Sequence, residues 1–502
     1  MDGILAFDLG TSGVKCSLFN SDGKLIDYYY GEYSTFYPEP NYREQAPADW
    51  IEQIIIGTGY LRSRYPQVNI CAIGTSGHSL GALPIDNHGT LLLNRIPIWS
   101  DARASSQAEQ FFHTIEYREW YERTGNGFTR ELYSLFKIMW FKEHLPDLYQ
   151  NTWKFIGTKD FINYFLTGNA VTDISYASGC GCFDLYKHQY HEPYLLTARI
   201  DRNKLPDVYD SHTVIGAVTL DAAKALGISA GIPVVCGGVD NACMSLGAGC
   251  FSKGDTYASL GSSAWITVSV DEPFVDFSSR VFTFAHCVPG QYLPSIGTYA
   301  FGSALAWAAD HFFSEFTGNN KYNELGELAE SSVAGAHGVM FNPSLAGGSA
   351  FDKSPNIRGS LFNLSLENNK ADIARAVFEG IALHLYSAAG ALILSGKLKN
   401  RLLVVGGGAK GKYARQIYAD VFGKEIETSR IQHEAAALGA AALAAVGCGL
   451  WKDYYPLRLL QGDPQVCIPR PDHTKLYRRL LPFYLRMCDA CSDFGDAVSN
   501  SD

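Results

Sequence analysis

A two-lobed α/β protein with a cleft between the lobes is the fold class this sequence predicts, and three observations carry it. The 502 residues exceed the length at which one hydrophobic core stops growing, so two large units are expected. Apolar strand patterns alternate with helical ones, the grammar of sheets covered by helices. The stretch GILAFDLGTSGVKCSLF (3–19) is echoed by KGDTYASLGSSAWITVSV (253–270), each a strand, a small hydroxyl-rich turn and a second strand. This weak duplication sets a boundary near residue 245, dividing 1–245 from 246–502. No low-complexity linker separates the halves, so the lobes should touch, and ligands favour such clefts.

GILAFDLG and KCSLFNSDGKLIDYYYGEYST read as strands, with a hairpin turn at Asn20–Gly23. PADWIEQIIIGTGYLRSRY has helical apolar spacing that begins near Pro47 or Asp49. GALPIDNHGTLLLNRIPIWS reads as a second hairpin turning at Asn87–Gly89. Helices then dominate the second half: ALAWAADHFFSEF, KADIARAVFEGIALHLYSAAGALILS, KYARQIYADVFG and the alanine-rich EAAALGAAALAAVGCGL. The last is too short for a membrane span and reads as a buried helix. QVCIPRPDHTKLYRRLLPFYLRMCDAC reads as a tail helix packing back on a lobe.

Apolar residues make up 47% and charged residues 18%, the balance of an ordinary packed protein. A net charge of −10 without a long basic cluster argues against a nucleic-acid partner. Twelve cysteines lie scattered through apolar segments, which reads as reduced, buried thiols. Cys488 and Cys491 lack the second pair that a closed zinc site needs. MDGILAFDLG carries an acid where a signal peptide carries lysine or arginine, so a cytoplasmic protein without membrane partners is expected.

Four segments suggest chemistry. In CGGVDNACMSLGAG (236–249) Asp240 stands among small apolar residues, where a carboxylate costs several kcal/mol in order of magnitude unless it has a partner or a task. A helix N-cap is the competing reading. In DLGTSGVK (8–15) Gly10 and Gly13 permit a sharp turn, Thr11 and Ser12 add hydroxyls, and Lys15 adds a charge suited to phosphate oxygens. The Walker spacing is absent, and a plain hairpin turn is the alternative. Asp8, just before the turn, could hold magnesium through water. SLGSSAW (259–265) is the counterpart loop, and LLVVGGGAKGKYARQIYAD (402–420) is a strand–glycine–helix turn able to pass close to a nucleotide. It does not fit the dinucleotide fingerprint.

This ordered series resembles the FGGY family of carbohydrate kinases, of the actin/hexokinase/heat-shock-ATPase (ribonuclease H-like) fold, over nearly the whole chain. DLGTSGVK is similar to the family's first phosphate loop, GGVDNA to its catalytic segment, SLGSS to its second phosphate loop, and GGGAKGKYARQIYADVFG with EAAALGAAALAA to its adenine side. KIMWFKEH (137–144) fits the core of one family signature. RGSLFNLSLENNKADIARAVFEG (358–380) fits the other, with Asn363 where glycine is usual. The resemblance implies ATP and Mg2+ as cofactors and Asp240 as the general base. It assigns Gly10, Thr11, Ser12, Lys15, Gly261, Ser262, Gly302, Gly407, Gly408, Ala409 and Lys412 to ATP, and Asp8 to the metal. A homodimer is compatible with it.

The sugar is read from variable positions. His78 and Ser79 lie in GTSGHSLGALPID (74–86), where the family places sugar contacts, and Trp99 and Asp101 lie in PIWSDARA (97–104). Asn241 follows the base. Trp99 is equally readable as packing, and Asp101 or Arg103 could fix the loop instead of a hydroxyl. Xylulokinases usually carry Gln-Met-His here and gluconokinases Met-His-Ser-Leu, which GHSL approaches, whereas the DNA that starts at Asp240 is the xylulokinase habit. Glycerol kinases place glutamine after the aspartate. A ketopentose such as xylulose is favoured, with gluconate close behind. The competing class is a non-catalytic ATP-gated interaction or sensor protein, against which stand Asp8, Thr11 and Asp240.

Overall fold

A computed structural model describes residues 1–429, 431, 434–462 and 464–501. Strands β1 (Asp2–Leu9) and β2 (Gly13–Asn20) form an antiparallel hairpin. β3 (Leu25–Glu32) follows through the expected turn, in which the Gly23 amide donates to the Asn20 carbonyl at 2.9 Å. Helix α1 (Pro47–Arg64) starts with proline at its first turn, where the missing N–H costs nothing; Ala46 rather than Asp49 is the residue before it. β4 (Asn69–Gly77) then returns parallel to β1.

The second expected turn forms at Asn87–Gly89, with the Asp86 amide on the Thr90 carbonyl and the Leu92 amide on the Pro84 carbonyl, both at 3.0 Å, but it does not extend into a two-stranded hairpin. Leu83–Ile85 pairs with Lys154–Ile156, and a single bridge from Ile85 to Leu91 spans the turn. The apolar Lys154–Ile156 segment takes the pairing edge, while Asn94 and Arg95 break the alternation after the turn.

Helices α2 (Ser134–His144) and α3 (Thr158–Thr167) precede β5 (Val214–Ala217), β6 (Pro233–Val235), β7 (Gly238–Val239) and α4 (Asp240–Gly247). The first sheet runs β5-β6-β4-β1-β2-β3, with β7 beside the far end of β4. The second half contributes β8 (Thr256–Leu260), β9 (Ala264–Val268), β10 (Phe282–Ala285), β11 (Tyr292–Thr298), α5 (Gly302–Phe312), α6 (Lys370–Ala388), β12 (Arg401–Val405), α7 (Lys412–Phe422), β13 (Glu425–Thr428), α8 (Ala435–Gly447), β14 (Val466–Cys467) and α9 (Pro471–Ser499). Its sheet runs β10-β11-β9-β8-β12-β13-β14. In both sheets the hairpin's first strand lies parallel to a later one, β1 with β4 and β8 with β12. The duplication read from the sequence is therefore a duplication of topology.

The alanine-rich α8 is buried at every residue from Ala435 to Ala445 and packs against α4, β4 and β1, on the first sheet. Small side chains let a helix approach a sheet and another helix on several sides at once. From the second sheet, Phe282 stacks on Phe128 with ring centroids 4.3 Å apart, and Tyr121 donates to the Val281 carbonyl at 2.6 Å. The lobes are thus knit by packed side chains. The tail helix α9 sends Tyr477, Tyr484, Met487, Cys488 and Cys491 into the second core. Among the described residues no helix is long and apolar enough to cross a membrane.

Candidate active site

Asp8 sits at the end of β1, in register with Lys15 on one side and Ser76 on the other. The Ser76 hydroxyl donates to its Oδ1 at 2.9 Å. Burial raises the Asp8 carboxyl above the usual range, against the pull of the Lys15 charge and that hydroxyl. The loop beyond it is braced from behind. Tyr33 donates to the Gly10 carbonyl, and the Gln45 amide to the Thr11 carbonyl at 2.6 Å. The Thr11 and Ser12 side chains are left exposed. Trp99 is 39% exposed, and its indole N–H donates to Thr11 Oγ1 at 3.0 Å, which ties it to the turn between β1 and β2 while leaving part of the ring uncovered.

His78 follows β4 and is fully buried, edge-on to Trp50. Neither ring nitrogen has a hydrogen-bond partner among the described residues. Burial, with the Lys137 charge, lowers it to about 4, so the ring is neutral at pH 7. Two buried, unsatisfied ring nitrogens are costly, which suits a ligand-facing group. Ser79 is half-buried, and Leu80 holds a left-handed φ of 60°, a conformation costing about 1–2 kcal/mol for a side chain of this kind. Such strain clusters at functional turns.

What holds this turn is Lys137, to which the sequence reading gave no task. Its fully buried ammonium donates to the carbonyls of Leu80 (3.0 Å), Ile98 (2.7 Å) and Leu132 (2.8 Å). Burial pulls it down to about 7. Its signal was a lysine inside an apolar helix. Asp101 is also fully buried, and its oxygens accept from Arg103 Nε and Nη2 at 2.8 Å each and from the Arg43 amide at 2.6 Å. Both oxygens are occupied by protein donors, which supports the alternative in which Asp101 fixes the loop that carries Trp99.

Asp240 is the first residue of α4. Val239, extended at φ −64° and ψ 146°, occupies the cap position, so the capping alternative fails on geometry. The Asp240 Oδ1 accepts from the Asn241 amide at 2.7 Å. Burial and then the neighbouring Asp8 charge push the carboxyl up to about 7. Gly237 takes φ +73°, and a Cβ there would lie 2.1 Å from the Thr75 carbonyl oxygen. Only glycine lets this segment run so close to β4 and deliver Asp240 beside Asp8.

In the second lobe, the carbonyl of Gly261 accepts from the Gly302 amide (3.0 Å), and that of Ser262 from the Phe301 (2.8 Å) and Ser303 (3.0 Å) amides. A Cβ at Gly302 would lie 2.4 Å from the Gly261 oxygen, so the α5 start and the hairpin loop require this glycine to meet. The turn after β12 comes to the same place, with Gly408 against Leu260 and Phe301. Gly407 and Lys412 remain exposed, and Ala409 is buried. Arg415, missed in the sequence, folds back from α7 to donate to the Ala409 (2.6 Å) and Lys410 (2.7 Å) carbonyls, fixing the turn. Gly261, Ser262, Gly302, Gly407, Gly408, Ala409 and Lys412 thus lie in the turns and helix starts that follow β8, β11 and β12 of the second sheet.

Family models described as FGGY family of carbohydrate kinases, N-terminal domain and C-terminal domain, match residues 3–247 and 256–448. The chain belongs to the FGGY family of carbohydrate kinases. It is 32% identical to a xylulose kinase of Staphylococcus epidermidis over 89% of this chain and 88% of that one. It is 27% identical to a gluconokinase of Bacillus subtilis over 96% and 95%. Ligand-bound xylulose kinase from Lactobacillus acidophilus has the same fold, with a TM-score of 0.90 and 26% identity over 98% of both chains. In this FGGY kinase, Asp8, Ser76, His78, Trp99 and Asp240 are contributed by the β1, β4 and β7 ends of the first sheet and by the Trp99 loop.

Proposed function

We propose that this FGGY kinase transfers the γ-phosphate of ATP to a hydroxyl of a ketopentose such as xylulose, with Asp240 as general base. The observation that carries the reading is the placement of the Asp240 carboxyl at the start of α4, beside Asp8, where burial and the Asp8 charge push it up to about 7. A base with a pKa near the working pH both exists in its ionised form and accepts a proton well. Phosphoryl transfer asks little else of the protein beyond positioning and charge neutralisation. Gly10, Thr11, Ser12 and Lys15 face the phosphates from one side, and Gly261, Ser262, Gly302, Gly407, Gly408, Ala409 and Lys412 take the nucleotide from the other.

Among the described residues no three His, Cys, Asp or Glu side chains gather as a closed metal site. Asp8, at the end of β1 beside Asp240, fits magnesium, which keeps its waters and needs one or two carboxylates plus phosphate oxygens. Asp8 would hold it, and the ion would neutralise phosphate charge. His78, neutral at pH 7, suits a sugar hydroxyl better than a carboxylate, which favours xylulose over gluconate. Ser79, Trp99 and Asn241 complete the sugar side.

The test is ATP consumption with magnesium across D-xylulose, L-xylulose, L-ribulose, gluconate, glycerol and erythritol, with Asp240→Ala alongside. Expected is sugar-dependent turnover, highest with a xylulose and at least about a thousandfold lower in the variant. Sugar-independent hydrolysis, or turnover that survives loss of Asp240, removes the mechanism. Highest turnover with gluconate keeps the base and changes the substrate.

A further inference from the structure

Lys159, Asp160 and Asp173 are fully buried. Lys159 Nζ lies 2.5 Å from Asp160 Oδ1 and 3.0 Å from Asp173 Oδ1. Burying such a cluster costs more than filling the space with apolar side chains, so stability does not explain it. Asp160 also caps its own helix through the Gly157 amide, and Asp173 the following short helix through the Ser175 and Tyr176 amides. Other bonds of the cluster reach the segment before Asp240. Lys159 Nζ donates to the Cys236 carbonyl at 3.1 Å, and the Asn163 amide to the same oxygen at 2.7 Å. Asp173 Oδ2 accepts from the hydroxyls of Ser175 (2.5 Å) and Ser211 (2.7 Å). The Ser175 hydroxyl in turn accepts from the Val239 amide at 2.9 Å, and the Ser211 carbonyl accepts from the Gly237 amide at 2.9 Å. Cys236, Gly237 and Val239 are thus each gripped in the four residues before Asp240.

The same helix turn holds the sugar side. Thr158 Oγ1 donates to the His78 carbonyl at 2.6 Å. The Tyr176 hydroxyl accepts from the amides of Thr158 and Gly81, both at 3.1 Å. We propose, resting on the reading of Asp240 as base, that the first turn of α3 and the Asp173–Ser175 pair form a clamp that sets the base and the sugar turn relative to each other. Lys159, Ser175 and Thr158 are its positioning residues. None of them needs to touch substrate. An error of about an ångström in the base is worth on the order of a hundredfold in rate.

The clamp predicts two opposite kinetic signatures, measured with whichever sugar gives turnover in the screen. Ser175→Ala cuts the link to the Val239 amide and should lower kcat about ten- to a hundredfold, with both KM values within about twofold. Thr158→Val releases the His78 carbonyl and should raise the sugar KM about fivefold with kcat nearly unchanged. Thermal midpoints near wild type establish that the variants fold. Should Ser175→Ala not fold, Ser211→Ala, which removes only the outer hydroxyl, should lower kcat in the same selective way. An unchanged kcat in the folded serine variant, or losses shared equally by kcat and KM in both, overturns the clamp. A dead Asp240→Ala beside an unimpaired Ser175→Ala removes the clamp alone, whereas turnover in Asp240→Ala removes the base and the clamp together.

Discussion

Burial and the Asp8 carboxylate push Asp240 up to about 7, so the folded chain keeps a proton that the unfolded chain releases near pH 4. The unfolded state therefore binds fewer protons between about pH 4 and 7, and stability falls as pH rises through that window. Asp240→Asn removes the titration while keeping an acceptor for the Asn241 amide. In magnesium-free buffer the variant should melt a few degrees above wild type at pH 8, and the gap should close toward pH 4. Calorimetry at the two pH values decides it. A gap of the wrong sign at pH 8, or one indifferent to pH, means that the Asp8 charge and burial do not load this carboxyl. Asp240 was legible as a lone carboxylate in an apolar segment. Asn363 was legible as a departure from glycine, and its φ of 62° explains the choice, since asparagine tolerates that region better than other side chains. The burial of His78 was not legible, because Trp50, the ring it packs against, lies 28 residues away in sequence.

Helix α2 acts at the next scale, as the support from which Lys137 binds three loops. Each of the carbonyls of Leu80, Ile98 and Leu132 comes from a different stretch of chain, and Leu80 is strained. Lys137→Met preserves the apolar stem and removes the donor. The Leu80 and part-buried Leu132 carbonyls then lose this donor, at about 1–3 kcal/mol each before relaxation, while the Ile98 carbonyl keeps the Asp101 amide at 3.1 Å. The strained turn is expected to relax, raising the sugar KM at least about tenfold and leaving the ATP KM within about twofold. Steady-state titration of each substrate separates the two. Equal change in both KM values would reduce Lys137 to a general stability residue. The sequence made α2 plain as a helix and as part of a family signature, yet a lysine amid apolar residues usually reads as an exposed head on a buried stem. Its burial depends on loops that arrive from elsewhere. The shortened second hairpin has the same origin: the turn at Asn87–Gly89 is local chemistry and legible, but the strand partner of Leu83–Ile85 comes from 154–156.

For the whole molecule, the order of residues and the order of packing part company at α8. Every strand of the first sheet precedes residue 240, and every strand of the second follows 255. Helix α8 belongs to the second half of the chain, yet it covers Ile4, Ala6 and Ala72 on the first sheet and lies along α4. The composition of α8 announced burial, but alanine carries no address, since its small side chain suits any close approach. A chain cut after residue 247 would keep the first sheet and lose its cover. That exposes a contiguous apolar face of the kind soluble monomers rarely tolerate. The fragment 1–247 should therefore aggregate or bind a hydrophobic dye without a cooperative melt, while the full chain unfolds with the two lobes coupled. A fragment 1–247 that melts cooperatively as a monomer would show that the first sheet closes its own core. In that case α8 would be a seal between lobes instead of a structural part of the first, and motion of one lobe over the other would meet far less resistance.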